Sequence, residues 1–171
     1  MATPSRRALR ERFDDAVCPH PAVPPWTHRC DYYLATDAAV DERRVGIGAV
    51  AERPDGSAVG TWSARLPTTG NNDAELRALH FGLDRLAADA RDGDRVGILL
   101  DHDVLARAVA ALCDRGGHRA GRPPFRTASR NHWGGITARI AALGDVRVAI
   151  VDSPANPAHE LANRRCAPAR I

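Results

Sequence analysis

The chain predicts an α/β fold: a mixed five-stranded sheet, three antiparallel strands and then parallel strands, with helices on both faces. Three observations carry this. Residues 31–66 hold three short runs of β-type and small apolar residues separated by turn signals. From residue 71 onward, helical and strand-like patterns alternate, as parallel pairing through helical crossovers requires. The run "VGILL" at 96–100 is apolar throughout, which marks a strand covered on both faces.

Residues 1–30 read as an N-terminal arm and linker preceding one domain over 31–171. "SRRALRERFDDAV" suits a short helix, and the prolines of "CPHPAVPPW" stop it. Cys18, His20, His28 and Cys30 form a C-x-H…H-x-C pattern that could hold Zn²⁺. Its spacing is not a common zinc spacing, and the linker reading is preferred.

The first strand is "DYYLATDAAV". In "VGIGAVAER", Val45, Ile47, Ala49 and Ala51 share one face and glycines the other. Asp55–Gly56 is a hairpin signal, and "AVGTWSARL" is the third strand. A long helix follows from Asn71, with Leu76, Leu79, Leu83 and Leu86 at helical spacing and Gly93 as its stop. After "RVGILLD" come a helix, "VLARAVAALCDR", and a basic loop. The chain closes with a helix from "NHWGGITARIAAL", a strand from "DVRVAIVD" and a last helix from "NPAHELANRRCA".

Composition narrows the function classes. All 24 basic residues are arginine, a coding bias more than a set of phosphate contacts, and the net charge of +3 permits a nucleic-acid partner without demanding one. The four cysteines lack a framework spacing, which fits a reducing cytoplasm. No apolar run reaches the roughly 18 residues of a membrane span, and no secretory signal is expected.

Three acids stand where acids are unusual. Asp37 lies inside the first strand, where a buried carboxylate is costly unless paired or bound to a cation, or else ends the strand in solvent. Glu75 shares the helical stripe of Leu79, Leu83 and Leu86, or else forms a capping box with Asn72. Asp101 follows "VGILL", at the end of a parallel strand where ligands gather, or else caps the next helix, as Asp103 could. Together the acids suggest an oxygen-rich Mg²⁺ or Mn²⁺ site.

This order of elements, with these acids, resembles the type 1 ribonuclease H family. "LATDAAV" stands where that family has a strand ending in T-D-G-S, and "GIGAV" is similar to its glycine-rich second strand. "PTTGNNDAELRAL" looks like its T-x-N-x-x-E-L helix start, "LLDHDVL" like its strand ending in T-D-S, and "NPAHELAN" like its closing N-P-x-N-E-x-A-D helix. The resemblance covers residues 31 to about 168 and implies a monomeric, cytoplasmic endonuclease that hydrolyses the RNA strand of an RNA–DNA hybrid. It implies two Mg²⁺ or Mn²⁺ ions that activate water and stabilise the leaving 3′-oxygen. Asp37, Glu75, Asp101 and Asn163 become the expected catalytic and metal-holding residues. Ala38, Asn71 and Asn72, with Arg119 and Arg122 of the basic loop, become the expected substrate contacts.

Three departures from the family pattern stand out. Ala38 replaces a glycine, Ser153 stands where many members carry a mobile histidine, and Asn163 replaces the fourth carboxylate. Glu160 or Asp152 could supply the missing charge. These departures also suit a weak or inactive module of the same fold that binds hybrid or RNA without cutting it.

Overall fold

The computed structural model describes residues 6–19, 29–114, 122–125 and 130–167. The strands are β1 (Tyr32–Val40), β2 (Val45–Glu52), β3 (Ala58–Leu66), β4 (Arg95–Leu100) and β5 (Asp145–Ile150). The helices are α1 (Leu9–Asp14), α2 (Asn71–Leu86), α3 (Asp103–Asp114), α4 (Arg130–Ala142) and α5 (His159–Cys166). The sheet order is β3-β2-β1-β4-β5. β1–β2 and β2–β3 pair antiparallel, and β1–β4 and β4–β5 pair parallel, as the sequence predicts.

Alternation along the strands divides the core between two faces. On one, the leucine stripe of α2 meets Leu105 and Val109 of α3 and Trp133, Ile136 and Ile140 of α4, over Leu34, Ile98, Leu100 and Val148. On the other, α1 and α5 lie over Tyr33, Ala35, Val50, Leu99 and Ala149. α2 ends at Leu86, not at Gly93. Once Leu86 is buried the chain turns back, and Gly93, at φ +90°, makes the bend toward β4.

Part of the expected arm is packed. Leu9 and Phe13, at helical spacing i, i+4, are both fully buried, a contribution of about 1.5–3 kcal/mol each. Buried Glu52, at the end of β2, accepts the Leu9 N–H at 2.7 Å and so satisfies an orphan donor of α1. Val17 forms an antiparallel bridge with Ile150. His20 and His28 of the possible zinc motif lie outside the described residues. Cys30 is buried, and its thiol is pushed up to about 12 by that burial.

Candidate metal centre

The site forms where two parallel strands part. β1 and β4 pair from Tyr32↔Val96 to Ala35↔Leu99. β4 then ends at Leu100 while β1 runs on to Val40. Two residues beyond the last pair come Asp37, still within β1, and Asp101, just past the end of β4. Asp37 does not end the strand in solvent; it is interior to β1 and 2% exposed. Its Oδ1 accepts the N–H of Ala38 at 2.8 Å, and its Oδ2 accepts from His159 Nδ1 at 2.7 Å.

The alternative capping roles of the other two acids are taken by neighbours. α2 begins at Asn71 with Gly70 as N-cap, so the expected Asn72–Glu75 capping box does not form. Thr69 Oγ1 instead donates to Asp73 at 2.5 Å. Glu75 is left buried, directed at Asp37 and Asp101. At α3 the cap is His102, whose Nδ1 accepts the Leu105 N–H at 3.3 Å. That bond leaves the proton on His102 Nε2, which donates to Asn72 Oδ1 at 3.0 Å and ties α2 to α3. Asp101, relieved of capping, accepts from Ser153 Oγ at 2.8 Å.

α5 brings in the remaining side chain, and two glycines let it come close. Gly48 lies opposite Asp37 in the β1–β2 ladder. A Cβ there would lie 2.7 Å from Ala158 O, and one at Gly46 would collide with Ala162 O. The approach to the helix is pinned by Asn156, which is 2% exposed. Its Nδ2 donates to Thr36 O at 2.8 Å, and its Oδ1 accepts the Ala158 N–H at 3.1 Å. Ser153–Ala155 is a separate 3-10 turn, and α5 starts only at His159 with Ala158 as its N-cap, so Asn156 fixes the turn ahead of the helix. One donor atom each from Asp37, Asp101 and His159 lies within 4.8 Å of the others.

The electrostatics suit a cation. The Asp37 carboxyl is pushed up to about 6, first by burial and then by Asp101, against the opposing pull of His159 and the Ala38 N–H. Glu75 is pushed up to about 9 by burial, then by Asp37 and Asp101. Carboxylates this close cannot all ionise in a shielded site unless positive charge joins them. An oxygen-rich donor set with one nitrogen fits a divalent ion.

No protein-family model matches the chain, and no curated protein matches it. Solved structures do. The N-terminal RNase H domain of rv2228c from Mycobacterium tuberculosis superposes with a TM-score of 0.65 at 17% identity, over 80% of this chain and 98% of that one. LC11 ribonuclease H1, in complex with an RNA/DNA hybrid, gives 0.66 at 18% identity, over 79% and 96%. Ribonuclease H1 from the halophilic archaeon Halobacterium salinarum gives 0.60 at 20%, over 81% and 97%. The fold is that of ribonuclease H.

On this ribonuclease H fold the remaining expected residues fall as follows. Ala38, next to Asp37, is buried in a small cluster with Ala74 and Ala78. Asn71 and Asn72 are exposed at the start of α2. Arg122 is exposed, and Arg119 lies outside the described residues. Asn163 is exposed, one turn beyond His159 on α5. The α5 side chain that meets Asp37 is thus His159. The glycine pair and Asn156 position the cluster, and Ser153, at the position of the family's mobile histidine, holds Asp101. The available signal was the Gly46–Gly48 spacing, which marks close backbone approach.

Proposed function

We propose that the protein is a divalent-metal-dependent endoribonuclease that hydrolyses the RNA strand of RNA–DNA hybrids, leaving 5′-phosphate and 3′-hydroxyl ends. The observation that carries the reading is Asp37, Asp101 and His159 converging at the parted ends of β1 and β4, with buried Glu75 beside them. One neighbour of the same fold is in complex with an RNA/DNA hybrid, which supports the substrate class.

In this reading Asp37, Glu75 and Asp101 would hold two ions, Mg²⁺ or Mn²⁺, which would supply charge stabilisation to the attacking and leaving oxygens. Asp37 adjoins Glu75, Asp101 and His159 and would help hold both ions. Ser153 keeps the Asp101 carboxylate turned toward the site. His159 occupies the α5 side of the cluster. Asn163, on the same helix face one turn on, offers a carbonyl to the site or to the RNA strand. Asn71 and Asn72, the latter bonded to His102 next to Asp101, would meet RNA 2′-hydroxyls, and Arg119 and Arg122 would meet phosphates.

The test is cleavage of an end-labelled hybrid by the full chain with Mg²⁺ or Mn²⁺. Cleavage in the RNA strand is expected, and Asp37→Asn should lower it by about 10²-fold or more. Hybrid binding without cleavage in either ion would establish the binding-module reading instead.

A further inference from the structure

We infer that His159 is a nitrogen ligand that turns this site toward Mn²⁺ and away from Mg²⁺. The inference rests on the proposed metal-dependent reading and names the ion that reading leaves open.

Placement is the first support. His159 is the first residue of α5, and its main chain is held on three sides. Asn156 locks the preceding turn to Thr36, Gly48 lets the helix lie on β2, and the His159 N–H donates to Asn156 O at 3.1 Å. The backbone is fixed, yet the side chain is 40% exposed and can turn about its own bonds. Its Nδ1, now donating to Asp37 Oδ2 at 2.7 Å, would ligate in the tautomer that carries the proton on Nε2, where it faces the same donor cluster as Asp37 and Asp101.

Chemistry is the second. Mg²⁺ is hard, prefers oxygen and gives up its waters reluctantly, and a neutral imidazole offers it neither charge nor oxygen. First-row transition ions accept imidazole readily, and Mn²⁺ also keeps the carboxylate affinity this site requires. An imidazole where a carboxylate would stand therefore weakens Mg²⁺ binding more than Mn²⁺ binding. Asn163, exposed and neutral, does not restore the missing charge.

The geometry makes the claim directly observable, because ¹⁴N bound to Mn²⁺ modulates its electron spin echo. The full chain loaded with Mn²⁺ alone should show this modulation, and His159→Gln should lose it while still binding the ion. In parallel calorimetry, His159→Asp should lower the Mn²⁺-to-Mg²⁺ affinity ratio by about tenfold or more, mainly by strengthening Mg²⁺. Modulation that survives His159→Gln, or disappears only in His102→Ala, would overturn the inference and leave the hydrolase reading intact. If neither ion binds the native chain, or Asp37→Asn does not weaken binding, both readings fall.

Discussion

Tyr33 and Asp37 lie on the same face of the same strand, four residues apart, and both are buried. At the Tyr33 end, burial pushes the phenol and the neighbouring Cys30 thiol up to about 12. Both groups are neutral at physiological pH anyway, so the shift makes them inert. At the other end the same desolvation, reinforced by mutual repulsion, brings Asp37 to about 6 and Glu75 to about 9. Those values straddle neutrality. Burial thus produces core at one end of β1 and a poised site at the other, and the difference is the charge the group would carry when ordinary.

The sharpest way to break the comparison is to neutralise one member at each end. Asp37→Asn should abolish measurable cleavage, yet raise the thermal midpoint of the metal-free chain at pH 8, because a buried charge has been removed. Tyr33→Phe should leave cleavage in place and cost only a hydrogen bond, about 0.5–1.5 kcal/mol in denaturant titration, equally at pH 5 and pH 8. If the two variants behave alike, the ends do not differ as described.

Next in size is Gly48→Ala. The added Cβ meets the backbone of Ala158, which cannot swing aside as a side chain would. We expect a loss of about 1–3 kcal/mol in denaturant titration and a larger fractional loss of cleavage, since α5 carries His159 away from Asp37. The smallest change is expected of Asn163→Asp. A carboxylate one turn from the cluster should tighten metal binding and raise the Mg²⁺-dependent rate severalfold, on the order of 1 kcal/mol. An unchanged Mg²⁺ dependence would leave position 163 out of the ligand set.

Most of the fold was legible because its signals are local. The leucine stripe of α2, the apolar run of β4 and the hairpin signal at Asp55–Gly56 each act within one element. The acids were legible because each violates a local rule. The α5 side chain that meets Asp37 was not, because which one it is depends on where α5 begins. A one-turn helix offset, about 5.4 Å, decides whether His159 or Asn163 lies level with Asp37. That offset is set by Asn156 reaching Thr36, 120 residues away in sequence. The packed part of the N-terminal arm was hidden for a related reason. Leu9 and Phe13 show helical spacing, but α1 has only six residues, too few to be stable alone, and its partner Glu52, like the Ile150 that Val17 meets after it, is remote.

The central claim is that the buried carboxylates form a cation site. Two folded-state values lie above the ordinary carboxylate range near 4. The metal-free native chain therefore holds more protons than the unfolded chain from about pH 4 up to about 6 for Asp37 and about 9 for Glu75. Stability from these groups is greatest at low pH and falls as pH rises through that window. The deciding measurement is the thermal midpoint from pH 5 to 9, with and without Mn²⁺, for the native chain and Glu75→Gln. The expected result is a native midpoint that falls relative to Glu75→Gln as pH rises, with Mn²⁺ restoring it most at pH 8–9. A difference between the two chains that is flat with pH, or a Mn²⁺ effect equal at every pH, would contradict the account.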